Sequence, residues 1–302
     1  LSNAWFAHAA EAAGLPKGAV NLVCGYGHQA GAALSAHPDI NQVVFTGSVA
    51  TGIAIASAAA KNVVPCVLEL GGKSAAIVHS DADLVAMETD ISKGIFINAG
   101  QVCSAMSRII VHESRHDELV QRAVSIAESL SVGPGVDRQT FGANMGPMVS
   151  VKQRDRAAGL VSEAVSQGAK LVTGGRAMNI PGAFLQPTVL AEVTPEMTIA
   201  QTEVFGPVLS VLRFREDAEA IEIANGTDYG LVGGVFTRDL DRATQVARKI
   251  RAGQVFVNEW FAGGVETPFG GYGKSGYGRE KGREALWNYV QTKNIAIKLK
   301  RT

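Results

Sequence analysis

The chain has 302 residues, 46% of them hydrophobic and 19% charged, with 28 Lys and Arg balancing 28 Asp and Glu. That length predicts about two domains with cores of their own and excludes a disordered or fibrous chain. The balanced charge gives no electrostatic footprint for nucleic acid or an anionic membrane, and no apolar run approaches the roughly 18 residues of a membrane span. Nor do the first residues carry a basic-then-apolar secretory signal, so a cytoplasmic protein is expected, with neither nucleic acid nor membrane as partner. The three cysteines, Cys24, Cys66 and Cys103, are widely spaced. They form neither a disulfide framework nor a clustered zinc site, which leaves at least one as a free thiol.

Periodicity predicts a helix over 2–13, with Ser2 or Asn3 as N-cap and Gly14-Leu15-Pro16 as the stop. A strand Val20–Cys24, a helix His28–Ala36, a strand Gln42–Thr46, an Ala-rich helix Ser48–Lys61 and a strand Pro65–Leu70 follow. After Gly71-Gly72 the reading is strand Ala75–His79, a helix through about Asn98, strand Arg108–His112 and helix Asp117–Leu130. Gly133–Val149, rich in Gly and Pro, reads as an irregular connection. Helix Lys152–Gln167, strand Lys170–Thr173, and strands near Phe184–Val189 and Val208–Phe214 come next. Then come helix Ala218–Ala224, strand Gly234–Thr237, helix Leu240–Ile250 and strand Gln254–Asn258. A Gly-rich loop, Gly263–Gly278, leads to a last helix and a terminal strand Tyr289–Leu299, which has no partner in its own sequence and is suited to pairing with another subunit. Strands alternating with helices at this spacing predict an α/β fold with a parallel sheet covered on both faces.

Four places carry candidate chemistry. Cys103 lies in Phe96-Ile-Asn-Ala-Gly-Gln-Val-Cys-Ser, a polar, Gly-containing segment after a long helix. Backbone N–H groups and side-chain amides there would activate a thiolate and stabilise an oxyanion, although an isolated cysteine is more often a small buried hydrophobe. Cys24 and Cys66, in apolar strand patterns, keep that second reading. Glu69, in Val67-Leu-Glu-Leu-Gly-Gly-Lys, is a carboxylate inside a run that otherwise reads as buried. Such a group is costly unless functional or paired, and a raised pKa would suit it to act as general base toward water; otherwise it is a strand-end Glu turned outward. Gly47-Ser-Val-Ala-Thr-Gly52 sits between a strand and a helix, as a phosphate-binding turn or a plain helix-capping turn would. His112-Glu-Ser-Arg-His116 matches the zinc-protease pattern formally, but Ile109-Ile-Val111 makes His112 a strand end, so the two histidines would not share a helix face.

Together these segments are more specific than any one alone. Leu68-Glu-Leu-Gly-Gly-Lys-Ser-Ala resembles the glutamate signature of the NAD(P)-dependent aldehyde dehydrogenase superfamily, and Phe96-Ile-Asn-Ala-Gly-Gln-Val-Cys-Ser-Ala resembles its cysteine signature at the usual separation. Phe45-Thr-Gly-Ser with Gly52, Glu203-Val-Phe-Gly-Pro-Val, and Pro268-Phe-Gly-Gly-Tyr-Gly-Lys-Ser-Gly-Tyr-Gly-Arg-Glu agree with it, so the resemblance runs from the first helix to the last strand. It implies oxidation of a small-molecule aldehyde to a carboxylic acid, with NAD as cofactor and NADP the alternative. Cys103 would form a thiohemiacetal and then a thioester, Glu69 would activate the deacylating water, and Glu280 would relay protons. The cofactor would meet Gly47, Ser48, Gly52, Leu70, Gly71, Glu203 and Phe205. Trp260, Phe261 and Phe269 would line the aldehyde tunnel, where an aromatic wall beside an acidic residue would favour a cationic aldehyde. No metal is implied.

The resemblance also implies a partial Rossmann-like cofactor domain over 1–71, a catalytic domain over 72–274, a helix over 275–288 returning to the cofactor domain, and an oligomerisation strand over 289–302. A homodimer or homotetramer follows from the last of these. Family residues that complete the oxyanion hole and bind the adenosine ribose fall before Leu1. The chain is therefore expected to be N-terminally truncated or incompletely represented, and to bind NAD(P) poorly. Two alternatives remain open: a CoA-acylating semialdehyde dehydrogenase, against which Glu69 speaks, and a non-catalytic fragment on the same scaffold.

Overall fold

Short apolar runs between polar turns become the strands β1 Val43–Thr46, β2 Cys66–Glu69, β3 Ala75–Val78, β4 Arg108–His112 and β5 Lys170–Thr173. They continue as β6 Thr188–Ala191, β7 Val208–Phe214, β8 Val232–Phe236, β9 Gln254–Val257 and β10 Gly276–Tyr277. The computed structural model describes residues 2–135 and 144–299. Its α-helices are α1 Ser2–Ala12, α2 Ala32–Ser35, α3 Val49–Ala60, α4 Leu84–Ile91 and α5 His116–Ser129. Then come α6 Val151–Ser166, α7 Thr198–Gln201, α8 Asp217–Asn225 and α9 Leu240–Lys249. The fold is α/β, and the described chain forms two compact units.

The first unit comprises residues up to Val44 and Ala50–Cys66, and holds α1, α2 and most of α3. The expected strand Val20–Cys24 does not form: among the described residues no strand pairs with it, and Leu22 and Val23 are exposed. The expected helix His28–Ala36 is a π turn, Gly27–Gly31, running into the short α2, because two glycines within five residues weaken a regular helix. The capping side chains of Ser2 and Asn3 lie outside the described residues.

The second unit comprises Phe45–Val49 and the chain from Val67 onward. Its sheet has seven strands in the order β5-β6-β7-β4-β3-β8-β9, parallel throughout except for the antiparallel edge pair β5–β6. All residues of β3, β6 and β8, and all but one each of β4 and β7, are buried, as a parallel sheet covered on both faces requires. Helices α8 and α9 pack together and against β3, β4, β7, β8 and β9, while α5 packs on α4 and over β5 and β6. Strand β10 pairs antiparallel with β2, Gly276 opposite Glu69.

Other departures have local causes. The helix expected to run through Asn98 ends its α part at Ile91, loosens into a π segment Ser92–Phe96, and breaks where Asn98 and Ala99 turn left-handed. The strand expected near Phe184–Val189 begins at Thr188, because Pro187 precedes it with no N–H to give a ladder. The last helix is only a 3-10 segment, Glu284–Tyr289, and 290–299 form no strand within this chain. Of the connection Gly133–Val149, residues 136–143 lie outside the described residues; Val132 and Met145 close its ends with a bridge. His112 ends β4 and His116 begins α5, bonding Ser114 and Asp117 respectively, so the two histidines occupy different elements.

Arg108, 1% exposed at the start of β4, ties this sheet to a helix. Its Nε donates to Lys73 O (3.0 Å), and its Nη1 and Nη2 to Ile223 O and Ala224 O at the end of α8 (2.9 Å each). Helix C-terminal carbonyls carry partial negative charge, so a buried guanidinium is compensated there without a carboxylate. A lysine keeps the charge but not the planar fork. Arg108→Lys should therefore lower stability by at least about 2 kcal/mol, as lost charge-assisted hydrogen bonds predict, read from the denaturant midpoint.

Candidate active site

Strand β2 ends in Leu70-Gly71-Gly72, and this turn is where the site is built. Ser275, fully buried, donates from Oγ to Gly71 O (2.7 Å) and accepts from Gly230 N–H (3.0 Å), while its carbonyl accepts from Leu70 N–H (3.0 Å). The Gly-rich loop is thereby fastened to the backbone after Glu69. Glu203 lies directly over Gly71: a Cβ there would collide with its carboxylate, and the Gly72 N–H donates to Glu203 Oε1 (3.1 Å). Only glycine at 71 permits that approach.

A cleft of about 640 Å³ opens beside this turn, lined by Thr46, Gly47, Ser48, Glu69, Gly71, Gln101, Val102 and Cys103 together with Gln153, Arg156, Glu203 and Phe205. The structure thus brings together six sequence candidates, Cys103, Glu69, Glu203, Phe205, Gly71 and the Gly47-Ser48 turn, whose Gly47 N–H donates to Glu69 O (3.0 Å). Leu70 is buried behind this cleft, and Gly52 is buried in α3, within the first unit. Glu280 is half-buried outside the lining, its backbone bridged to Phe269 in both directions (2.7 Å). Phe269 lies under the Lys281 ammonium at 5.3 Å, and Phe261 is half-buried with a left-handed backbone. Trp260 is not in the lining of this cleft; the residue is 3% exposed and packs into the core over small residues.

Burial governs the electrostatics. Glu69 is 3% exposed, and neither carboxylate oxygen has a hydrogen-bond partner among the described residues. Desolvation, reinforced by the Glu280 charge and opposed by Arg279, pushes its pKa up to about 8. Burial also raises the Cys103 thiol, and the charges of Glu203 and Glu69 raise it further, against stabilisation of the thiolate by the Ser104 amide. Glu203 is raised by burial and lowered by the Gly72 amide, Lys73 and Arg156. Lys73, fully buried with no hydrogen-bond partner for Nζ among the described residues, falls to about 7 through desolvation and the neighbouring Arg108, with Glu203 opposing.

Helix α6 supplies residues that sequence reasoning overlooked. Gln153 and Arg156, three apart and so on one helix face, reach the Glu203 loop. Gln153 Nε2 donates to Val204 O (2.9 Å) and Phe205 O (3.1 Å); Arg156 donates to Val204 O (3.2 Å) and Glu203 O (3.1 Å). These bonds hold Phe205 in a left-handed backbone, φ 52°. Two polar residues at i and i+3 at a helix start were the available signal, but they read as an ordinary solvated face. Lys73 was quoted in the glutamate signature without a role.

A half-buried thiol that shares a cleft with a buried, proton-holding carboxyl can take an electrophilic carbon and then activate water against it. The aldehyde dehydrogenase family model matches residues 1–295, and the chain belongs to that family. It is 43% identical over 300 residues to the rat protein named aldehyde dehydrogenase, cytosolic 1, covering 99% of this chain and 59% of that relative. The NAD-dependent aldehyde dehydrogenase of Sinorhizobium meliloti superposes with a TM-score of 0.94 at 40% identity, covering 99% of this chain and 59% of the other. Betaine aldehyde dehydrogenase from Staphylococcus aureus, in complex with NAD+, does so with a TM-score of 0.92 at 38% identity, covering 96% and 58%. The chain therefore spans somewhat under three fifths of the length of the relatives it matches.

A carboxyl that keeps its proton to about 8 when folded, but releases it near 4.3 when unfolded, makes the folded state lose stability as pH rises between those values. Glu69→Gln, which cannot ionise, should thus gain in melting temperature over the unaltered protein as pH climbs through that window. Glu280→Gln removes a charge that raises Glu69, and should move the Glu69 titration to lower pH, read from its carboxyl stretch by difference infrared spectroscopy.

Proposed function

We propose that the protein carrying this chain oxidises a small-molecule aldehyde to a carboxylic acid with NAD+, and that Cys103 and Glu69 perform the acyl chemistry. The observation that carries this reading is the shared cleft: a thiol, a carboxyl held near pKa 8 and a second carboxylate on the Gly71-Gly72 backbone, in a volume within the usual range for ligand sites.

The Cys103 sulfur adds to the carbonyl carbon of the aldehyde, giving a thiohemiacetal, with its proton leaving for solvent or for ionised Glu69. The Cys103 N–H would receive the developing oxyanion, a reading supported by Val102 and Cys103 both lining the cleft. When bound, NAD+ supplies the acceptor for the hydride lost from the carbon attached to Cys103. Cys103 then carries a thioester. Glu69 takes a proton from water as the oxygen attacks that carbon, and the Cys103 sulfur leaves as the acid forms. A separate base is needed because the thiolate is consumed in the bond it has made.

The residues present fit the nicotinamide-ribose end of such a cofactor. Glu203 has one oxygen engaged by the Gly72 N–H and a second beside it, suited to ribose hydroxyls; Phe205 lies in the same cleft to pack near the ring, and the Gly47-Ser48 turn offers a bare backbone to phosphate. On this reading residues 1–71 are the rear part of a nucleotide-binding domain and 72–274 the catalytic domain. Residues 290–299 pair with another copy of the chain, which the exposed Ile295, Ile297 and Leu299, on one side of an extended segment, support. Cytoplasmic location is the matching expectation, and among the described residues no helix is long and apolar enough to cross a membrane.

Deacylation to water requires Glu69 ionised, so turnover limited by that step should rise with pH and level off above about 8. In the protein carrying this chain, Cys103→Ser should abolish NADH formation. Glu69→Gln should retain a single-turnover NADH burst while slowing the steady state at least ~100-fold, as loss of a general base does. A burst without enzyme-bound thioester by mass spectrometry, or an unchanged steady state in Glu69→Gln, would refute this mechanism.

A further inference from the structure

Trp260 is an unusual tryptophan for a loop beside a ligand cleft. The ring is 3% exposed, and its indole N–H donates to the Ser104 carbonyl at 3.1 Å in a buried setting. The Trp260 backbone N–H donates to Asp90 Oδ1 of α4 (2.8 Å), fixing the residue from the other side. Space for the ring depends on small neighbours: a Cβ at Gly234 would be 2.7 Å from its Cζ3, and one at Gly94 3.4 Å from its Cδ1. Phe256 meets it edge-on at 5.5 Å between centroids. The indole is therefore held on all sides, with its one polar hydrogen aimed at the residue that follows the thiol.

That residue belongs to a tight turn. Ala105 N–H donates to Val102 O (3.0 Å) and Met106 N–H to Gly94 O (2.8 Å), so the turn is pinned before and after Ser104. The Ser104 carbonyl is held from outside the turn, by the indole. The Ser104 amide, with the smaller help of the Cys103 amide, favours the ionised sulfur, opposing burial and two nearby carboxylates. A buried carbonyl without its donor would have to turn toward another, carrying the Ser104 residue with it.

We propose that Trp260 is a positioning residue for the nucleophile: by holding the Ser104 carbonyl, its indole N–H fixes the turn so that the Ser104 amide faces the Cys103 sulfur. This role rests on Cys103 being the reacting thiol, and it replaces a tunnel-wall role. A ring that only filled the core would matter to stability and not to the sulfur.

Trp260→Phe keeps most of the ring and removes the hydrogen. In a background with Cys24 and Cys66 replaced by Ser, the rate of Cys103 alkylation by iodoacetamide is followed against pH. The expected result is that the half-point moves up by about one pH unit, the equivalent of one lost hydrogen bond to the ionised form, with alkylation at pH 8 falling several-fold. In turnover, the NADH burst should slow while the KM for NAD+ stays unchanged. An unchanged alkylation profile in folded Trp260→Phe overturns the proposal, and so does a rise in the KM for NAD+ with an unaltered burst. Alkylation reads the thiol without requiring catalysis, so a failure of the dehydrogenase reading would leave this test intact. Should Trp260→Phe fail to fold, 5-fluorotryptophan labelling serves without substitution. On alkylation of Cys103 the Trp260 resonance should shift, while those of Trp5 and Trp287, both over 70% exposed, should not; a Trp260 resonance that stays put overturns the proposal.

Discussion

Two acidic side chains share one thiol in a cleft that strips water from all three. Glu69 and Glu203 each lose hydration by burial, and each raises the cost of ionising Cys103. Burial thus favours the proton-bound form of each of the three groups, and at Glu69 it carries the pKa up to about 8. What keeps this arrangement in place is the backbone: bare glycines at 71 and 72 let Glu203 lie against the end of β2, and Ser275 locks that end to the Gly-rich loop. The seven-stranded sheet is the foundation on which this turn rests.

Beneath the acids lies a layer of buried cations, and they differ in kind. Arg108 is matched by carbonyls, three of them at once, so its charge is settled by the end of α8 and by Lys73 O. Lys73 has no such match for Nζ among the described residues, and burial, reinforced by the Arg108 charge, lowers its pKa to about 7. Glu203 is the nearby acid that opposes this. The ionisation of Lys73 and that of Glu203 are thus linked, each favouring the charged form of the other, while Glu69 is influenced from the opposite side by Glu280 and Arg279.

Much of this was legible in the sequence. Strands β4, β5 and β7 fall where apolar and β-branched runs predict them, because nothing else competes for a buried run between turns. Val20–Cys24 has the same composition and no partner strand, which is a fact about tertiary context that periodicity does not carry. The break at Asn98 and Ala99 is likewise a matter of left-handed backbone next to the cysteine, in residues whose propensities permit a helix. Cys103 and Glu69 stand out because a thiol and a carboxyl sit in segments whose glycines make close approach feasible, whereas Glu203 enters only through the family resemblance. The seating of Trp260 is not legible in the sequence for a physical reason: an aromatic in a loop reads as a wall, and the Gly234 floor and the Ser104 carbonyl that receive its ring belong to distant segments.

The supports of the two ends of the cleft come from different elements. Ser150 caps α6 by accepting from Gln153 N–H, and α6 then delivers Gln153 and Arg156 to the carbonyls of Glu203, Val204 and Phe205. The thiol turn is instead held by Gly94 O, by Trp260 and, through Trp260, by Asp90 of α4. Neither set of bonds contacts the other's loop. The two ends are nonetheless close: a Cβ at Gly100, ahead of the thiol, would strike Gly206 O just beyond Phe205, and the Glu203 charge raises the Cys103 thiol, so changes in α6 that move Glu203 should reach the sulfur as well. The glycine turn at 71–72 couples them a second time, because Gly71 meets Glu203 while Gly72 lies against the Cys103 carbonyl.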